Sequence, residues 1–289
     1  MTAQLRIGIS GWTYDSWRGD FYPKGLVQRL ELEYASRQMN TIEINGTFYS
    51  LQRPASFRKW HDATPDDFVF AVKGSKYLTH RKKLDDVRQP LANFFASGVL
   101  MLGKKLGPVL WQTPPWLQYD RKRMSAFLKL LPRTSTAASK LANDHNLKKK
   151  DWSAPEAIAR TRIRHAFEPR HESFFCGDFV ELLRKYNAAF VFSDTAAKFS
   201  YAEDLTADFV YIRLHGPDEL YSGGYSDEQL DRWAKRIRSW RSGRQPWDAR
   251  LLTKRTGSKP APRDIYVYFD NSITSNAPVD AMSLTERLF

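Results

Sequence analysis

The sequence predicts an α/β fold, a closed (β/α)8 TIM-like barrel that forms a single domain over residues 1–289. Eight short runs rich in β-branched and aromatic residues alternate with about seven segments of helical periodicity, which is typical of a parallel sheet. The chain also has the length of such a barrel, roughly 250 residues plus insertions. An open doubly wound sheet is the alternative, but no glycine-rich phosphate-binding pattern follows the first strand.

Each strand is predicted from a short apolar run bounded by polar or turn residues. In chain order these runs are LRIGIS (5–10), TIEIN (41–45), FVFAVKG (68–74), GPVLWQTP (107–114), RHAFEPR (164–170), FVFSD (190–194), FVYIRLHG (209–216) and DIYVYFDN (264–271). The helices are predicted over 27–39, 54–63, 86–101, 119–132, 177–187, 227–240 and 277–288. Ser226 and Gln229 have capping-box spacing before the helix over 227–240. Only residues 195–208 separate the sixth and seventh strands, so the sixth helix is expected to be short or missing.

Composition narrows the class of protein. Hydrophobic residues make up 42% of the chain, enough for a large core, and no apolar run reaches the roughly 18 residues that span a bilayer. The N-terminus lacks a signal-peptide pattern, and Cys176 is the single cysteine, so we expect a cytoplasmic protein without disulfides or a membrane partner. The net charge of +13 favours an anionic partner, although a solvated basic surface explains it equally well.

Strand TIEIN places a carboxylate where a barrel buries both faces. Alternation puts Glu43 and Asn45 on one face, opposite Ile42 and Ile44. If the isoleucines face the helices, Glu43 and Asn45 point into the barrel near the carboxyl end of the strand, where catalytic groups of this fold lie. A buried carboxylate is costly without partners, which must come from neighbouring strands.

The other strands supply polar residues near the same end. They are Lys73, Gln112, Glu168, Arg170, Asp194, Arg213, His215 and either Asp270 or Asn271, of which Asn271 is the predicted contact. The alternative to a functional pocket is an internal salt-bridge network that only closes the upper layer of the barrel.

Roles follow from side-chain chemistry. Glu43, Glu168, Asp194 and His215 are the predicted acid–base residues. Lys73, Arg170 and Arg213 are expected to bind an anionic group, with Asn45, Gln112 and Asn271 as further substrate contacts. As an alternative, Lys73 forms a Schiff base with a carbonyl substrate.

A bound divalent metal ion is a second open alternative for the mouth of the barrel, the opening at the carboxyl ends of the strands. Glu43, Glu168, Asp194 and His215 suit a divalent ion. Since the nearby cations already neutralise these acids, no metal and no cofactor are expected. The aromatic loops that carry Trp12 and Tyr49 are either a packed cap or a platform on which a sugar ring or a base stacks.

Several phrases together resemble a known family. GISGWTYDSWRGDFYP, TIEINGTFYSLQRP, FVFAVKGSKYLTH, VLWQTPP, FEPRHESF, YIRLHG and VYFDN are similar to the YecE-like family of uncharacterised TIM-barrel proteins, domain of unknown function number 72. The resemblance implies a barrel with a polar pocket and, by analogy of fold alone, a relation to sugar isomerases. In one detail the chain departs, because YFDN stands where the family pattern has an asparagine before the last asparagine.

Three functions are consistent with these observations. The leading one is an enzyme that acts on a small carbohydrate-like or phosphorylated substrate by acid–base isomerisation or hydrolysis. The alternatives are a nucleic-acid-binding or phosphodiester-processing protein, and a non-catalytic barrel that binds an anionic metabolite. Basic residues clustered around the mouth would favour nucleic acid, whereas dispersed ones would favour a small molecule. The sequence does not predict an oligomeric state.

Overall fold

Eight parallel strands close into a barrel in the structure, a computed structural model that describes residues 3–148, 150–254 and 261–289. The strands are β1 (Leu5–Ser10), β2 (Thr41–Ile44), β3 (Val69–Lys73), β4 (Leu106–Gln112), β5 (His165–Glu168), β6 (Ala189–Asp194), β7 (Phe209–Leu214) and β8 (Asp264–Phe269). Each pairs with the next, and β8 pairs with β1 from Leu5 opposite Ile265 to Ile9 opposite Phe269. The closed barrel confirms the predicted fold class and excludes an open sheet.

Helices surround the barrel between most strands. They are α1 (Glu31–Gln38), α2 (Gly46–Tyr49), α3 (Pro54–Asp62), α4 (Arg88–Ala96), α5 (Arg121–Leu130), α6 (Ser135–Ala142), α7 (Gly177–Lys185), α8 (Asp227–Arg241) and α9 (Asn276–Leu288). Every predicted helix is present with shifted ends, and α6 lies in the long connection from 133 to 162. Residues 195–208, all of them described, contain no helix, so of the two predicted possibilities, a short or a missing sixth helix, the helix is missing.

The longest of these helices, α8, follows directly from its sequence. The Ser226 hydroxyl accepts a hydrogen bond from the Gln229 backbone, and the Gln229 side chain accepts one from the Ser226 backbone, so the predicted capping box is confirmed. Its apolar stripe is buried against the barrel, where the Trp240 ring lies 4.8 Å from the Phe192 ring of β6. Cap and stripe together fix where α8 begins and which face it buries.

The core has two parts, one on each side of the strands. The larger lies between the barrel and the helices and contains Ile42 and Ile44, which are fully buried. The smaller fills the barrel interior with Ala71, Leu110, Ala166, Ala189, Val191, Phe209, Tyr211, Tyr266 and Tyr268, among others. The alternation predicted for TIEIN is therefore confirmed. At the carboxyl ends of the strands the interior is closed by a group of buried polar side chains, referred to below as the polar layer, which includes Glu43, Lys73, Glu168, Arg213 and Asp270.

Among the described residues, no helix is both long and apolar enough to cross a bilayer.

Candidate functional site

Arg213 of β7 lies at the centre of the polar layer and has no exposed surface. Its Nη1 donates to Glu168 Oε2 at 2.9 Å and contacts His215 Nε2 at 2.8 Å, and its Nη2 donates to Glu43 Oε1 and Asp270 Oδ2, both at 2.8 Å. Its Nε donates to Glu43 Oε2 at 3.2 Å. All the guanidinium donors are thus used within the protein, so the predicted role of Arg213 as a substrate contact does not fit this arrangement.

Glu43 of β2 is the carboxylate that the sequence placed inside the barrel, and it is fully buried. Besides the two bonds from Arg213, it accepts hydrogen bonds from the Ser10 hydroxyl of β1 and, at 2.5 Å, from the Tyr211 hydroxyl. Neither Ser10 nor Tyr211 is among the predicted site residues. The same alternation predicts both, because Ser10 lies opposite the outward-facing Ile9, and Tyr211 shares a face with Arg213.

Glu168 of β5 is a second fully buried carboxylate. It accepts from Arg170 Nη2 at 2.5 Å, from the Ser193 hydroxyl at 2.8 Å and from Gln112 Nε2 at 3.0 Å, in addition to Arg213. Burial alone would raise the pKa of Glu168, but the neighbouring Arg170 and Arg213 guanidinium groups outweigh it and hold that pKa well below its usual value. Glu168 is therefore ionised at all physiological pH values.

His215 follows β7 and is neutral. Burial, with the positive charge of Arg213 beside it, lowers the pKa of His215 well below its usual value. Its Nε2 lies 2.8 Å from Arg213 Nη1 and 2.9 Å from Arg170 Nη2, so this nitrogen accepts from guanidinium N–H groups. Its Nδ1 therefore carries the proton and donates to the Asp194 backbone carbonyl at 3.0 Å. Both ring nitrogens are occupied in this state.

At the end of β8, Asp270 rather than Asn271 enters the site. Tyr266 and Tyr268 line the barrel interior, and Asp270 continues their face to meet Arg213. Asn271 points away from the barrel axis, where its amide donates to the Gly223 carbonyl at 2.7 Å and to Asp280 at 2.8 Å. The prediction of Asn271 as a contact is corrected for this reason, and burial raises the pKa of the Asp270 carboxyl.

Asp194 is also placed differently from the prediction. On β6, Val191 and Ser193 face the interior, so alternation turns the Asp194 side chain outward. There it accepts from the Tyr225 hydroxyl at 3.2 Å and lines a cavity of about 810 Å³ between the β6–β7 connection and α8. Ser193 is the β6 residue of the polar layer, and strict parity predicts it.

Lys73 of β3 joins the layer as a buried amine with 9% of its surface exposed. Within the described part of the chain its Nζ has no hydrogen-bond or ion-pair partner, and it lies 4.6 Å above the Phe48 ring. Burial, helped by the positive charge of Arg213, lowers the pKa of Lys73 to about 8 although Asp270, Glu43 and Glu168 oppose the shift. A substantial share of the molecules therefore carries a neutral amine just above physiological pH.

Arg170 lies just beyond β5 and is only partly satisfied. Its Nη2 is paired with Glu168, and its guanidinium carbon lies 4.6 Å from the centre of the Phe199 ring. Its Nε and Nη1 are buried without a hydrogen-bond partner, and so is Asn45 Oδ1, although the Asn45 amide donates to Ser10 at 2.8 Å. Buried polar groups are rarely left unpaired without a reason, and a ligand or water that completes them is the usual one.

The two aromatic residues predicted at the mouth lie apart from the Arg213 layer. Trp12 packs edge-on against Trp60 at 5.4 Å and borders a separate cavity of about 300 Å³ with Gln28 and Lys59. Tyr49 is 69% exposed at the end of α2, and its ring is 5.2 Å from Phe48. Of the two, only Tyr49 is linked to the layer, through Phe48 and Lys73.

The charges of the layer balance. The carboxylates of Glu43, Glu168 and Asp270 face the cations Arg170, Arg213 and Lys73. Among the described residues no group of three or more His, Cys, Asp or Glu side chains is arranged to hold a metal ion. The carboxylate oxygens of the layer are already engaged by arginines, and Asp194 points elsewhere, so the four predicted ligands do not form one set.

Comparisons with known proteins agree with the fold. A model of a family described as protein of unknown function, DUF72, matches residues 6–289. YunF of Bacillus subtilis strain 168, a UPF0759 protein, is 26% identical over 127 residues, 42% of this chain and 44% of that protein. YecE of Escherichia coli K12, also a UPF0759 protein, is 29% identical over 113 residues, 38% of each chain. The matches therefore cover less than half of either relative.

Solved structures extend the agreement to the whole barrel. A DUF72 family protein of Thermotoga maritima has a TM-score of 0.73 and 24% identity, with 99% of both chains covered. One from Enterococcus faecalis has a TM-score of 0.68 and 13% identity, covering 99% of this chain and 95% of that one. Since the family model spans the chain from residue 6 to its last residue, the chain belongs to the DUF72 family of proteins of unknown function, as its phrases indicated.

Proposed function

We propose that this protein is an enzyme that moves protons on a small anionic substrate, a phosphorylated or carboxylated carbonyl or sugar compound, at the carboxyl end of the barrel. One observation carries the proposal. The unpaired Nε and Nη1 of Arg170 belong to the same polar layer as the Lys73 amine, which makes no hydrogen bond or ion pair among the described residues. Unpaired buried donors are costly unless a ligand or water completes them, and beside a desolvated amine an anionic ligand would satisfy both groups.

The residues divide into two groups by what their hydrogen bonds leave free. Glu43, Glu168 and Arg213 are saturated with internal bonds, and they position the rest of the layer. Arg170 retains donors that would bind an anionic group by charge-assisted hydrogen bonds. The acid–base role predicted for Glu43 and Glu168 therefore passes to Asp270, whose raised pKa and place at the mouth suit proton transfer.

The reaction class that fits best is proton abstraction beside a carbonyl, as in the interconversion of an aldose and a ketose. Asp270 would take the proton from carbon, and the Lys73 ammonium would stabilise negative charge on the substrate oxygen. Hydrolysis by the same pair is less well supported, because in the described part of the chain no second free carboxylate accompanies Asp270 in the layer to activate water.

The first test is anion binding. Inorganic phosphate at about 10 to 100 times its dissociation constant should stabilise the protein by about 1 to 3 kcal/mol in urea unfolding. Arg170→Met should lose most of this response, whereas Arg81→Met, an exposed arginine on the turn after β3, should keep it. Equal effects of phosphate and chloride at matched ionic strength would mean screening only and would contradict the anion site.

The second part of the test is turnover. Triose, pentose and hexose phosphates should exchange a carbon-bound hydrogen when they are incubated with the protein in heavy water, and NMR measures this exchange. Asp270→Asn should abolish the exchange but keep the stabilisation by phosphate. Phosphate stabilisation without exchange on any of these sugars would favour the non-catalytic anion-binding barrel.

A second candidate function has its own observation, a row of rings beside the mouth. The row Tyr49–Phe48–His80–Trp116 has ring separations of 5.2, 5.2 and 6.4 Å. Lys76 lies 5.3 Å above Tyr49, and Lys83 lies 5.6 Å above Trp116, which is 54% exposed. Exposed rings with flanking lysines suit single-stranded nucleic acid, whose bases stack while its phosphates meet cations. This function would be favoured if the protein binds an oligothymidylate in a salt-dependent way and Trp116→Ala weakens that binding tenfold. The protein should then catalyse no hydrogen exchange on sugar phosphates.

A further inference from the structure

Two lysines are buried among the residues that the structure describes, and their surroundings differ. Lys105 donates to the carbonyls of His61 at 2.6 Å and Thr64 at 2.8 Å, so its ammonium is solvated by the protein. Lys73 is 9% exposed, yet among the described residues its Nζ makes no hydrogen bond or ion pair and lies 4.6 Å from the centre of the Phe48 ring. Desolvating most of an ammonium group without a protein hydrogen-bond acceptor is costly, which suggests that Lys73 serves a purpose other than stability.

The groups that act on Lys73 come from several strands. The positive charge of Arg213 in β7 disfavours the charged form of Lys73, whereas three carboxylates favour it: Asp270 after β8, Glu43 of β2 and Glu168 of β5. The charge of Lys73 in turn lowers the pKa of His80 on the turn after β3. Burial is the largest effect, and the pKa of Lys73 falls to about 8. Neutral amine is therefore available to act as a nucleophile, on a side chain whose backbone is held in a barrel strand.

We propose that Lys73 forms a Schiff base with the carbonyl carbon of an aldehyde or ketone substrate whose anionic group is bound by Arg170. The inference rests on the proposed function and deepens it, because it replaces an ammonium that only stabilises charge with a covalent intermediate. It also limits the substrate to a carbonyl compound.

The bond changes balance without an additional reagent. The neutral Nζ attacks the carbonyl carbon and forms a C–N bond. The carbonyl oxygen then takes up two protons, one of them from Asp270, and leaves as water while the nitrogen loses a proton and becomes an iminium ion. When the step starts from the Lys73 ammonium, the iminium ion replaces that ammonium as the third cation. Three carboxylates therefore still face three cations in the polar layer. The iminium then acidifies the neighbouring C–H bond, from which Asp270 accepts the proton.

The layer supplies what this step needs. A Schiff base forms readily where a lysine is desolvated, and Lys73 is desolvated at the end of a strand whose backbone is fixed by pairing with β2 and β4. The unpaired donors of Arg170 would hold the substrate by its anionic end. The saturated Arg213 keeps the three carboxylates apart from Lys73, none of them within ion-pair distance of its Nζ in the described residues.

The test is reductive trapping on the wild-type protein. We would treat it with limiting glyoxylate, the smallest aldehyde that carries a carboxylate, and sodium borohydride, and map the modified lysines by peptide mass spectrometry. Lys73 should be labelled at least tenfold faster than Lys105, and its rate should rise with a midpoint near pH 8. With glyoxylate, Arg170→Met should slow the labelling of Lys73 tenfold, whereas Arg81→Met, the exposed control, should leave that rate unchanged.

Labelling of Lys73 no faster than that of Lys105 and the exposed lysines would overturn the Schiff base. Lys73→Arg separates this failure from failure of the proposed function. Hydrogen exchange that persists in Lys73→Arg would remove the covalent step and leave proton transfer intact. Selective labelling of Lys73 without exchange on any sugar phosphate would instead support the nucleophile and contradict the isomerase-like reaction.

Discussion

Arg213 shows what a single residue contributes to this barrel. Its buried guanidinium joins Glu43, Glu168 and Asp270, which come from three different strands or strand ends. Such a group is expensive to desolvate, and only the complete set of partners compensates. A residue that looked like a substrate contact from its sequence position is therefore the centre of the polar layer.

Replacing Arg213 by methionine should lower the free energy of unfolding by about 3 to 5 kcal/mol, because three carboxylates would remain buried without it. Urea unfolding at pH 7 measures the loss. Arg58→Met, on the exposed face of α3, is the control and should change stability by no more than about 0.5 kcal/mol. If Arg213→Met is as stable as the wild type, the internal bonds of Arg213 do not stabilise the fold, and its predicted role in anion binding would again be the better explanation.

At the scale of the elements, closure of the barrel depends on how closely β1 and β2 approach. A Cβ atom at Gly8 would lie 1.8 Å from the Thr41 carbonyl oxygen, which is backbone and cannot rotate away. Gly8 pairs with Thr41 in β2 and with Tyr268 in β8. This position therefore admits no side chain, although the alternation of LRIGIS alone does not distinguish it from Arg6.

Gly8→Ala should consequently destabilise the barrel by at least about 3 kcal/mol, since either β1 or β2 must move. Gly46→Ala is the matched control, because a Cβ there meets nothing closer than 3.6 Å and lies in α2, where alanine is favoured. Thermal unfolding of both variants measures the difference. If the two variants melt together, the close strand contact is not needed for closure.

At the scale of the whole molecule, two buried neutral histidines set the response to acid. Burial lowers the pKa of His165 to about 3, and His165 accepts from Trp111 Nε1 at 3.1 Å and contacts the Pro132 carbonyl at 2.8 Å. The pKa of His215 is also well below its usual value. On unfolding, both histidines regain a pKa near 6.5 and take up protons below it, so stability must fall as the pH falls from about 6.5.

Between pH 7 and pH 5 the two histidines together should cost about 3 to 4 kcal/mol of unfolding free energy, since each contributes up to about 1.4 kcal/mol per pH unit. Asp194 and Asp270, with raised pKa values, act in the opposite direction at lower pH. Comparison with His165→Gln isolates one histidine, and its loss over this range should be about half that of the wild type. A pH dependence that is identical in the two proteins would show that His165 does not titrate on unfolding.

By itself the sequence determined the barrel, its eight strands, a sixth helix that is short or missing, and the inward direction of Glu43, Glu168 and Arg213. These features follow from local periodicity, because a strand buried on both faces must direct its polar residues inward. The same alternation places Ser193, not the predicted Asp194, on the inner face of β6.

Only the tertiary structure decided which groups in the mouth are free. Arg213 of β7 and Arg170, just after β5, are the same residue type near the same end of the barrel, yet one is saturated and the other keeps two unpaired nitrogens. Likewise, Lys73 and Lys105 are both buried, and the absence of acceptors within the described residues distinguishes Lys73. The difference depends on distances between atoms of five strands, which the register of the closed barrel sets and which no single strand contains.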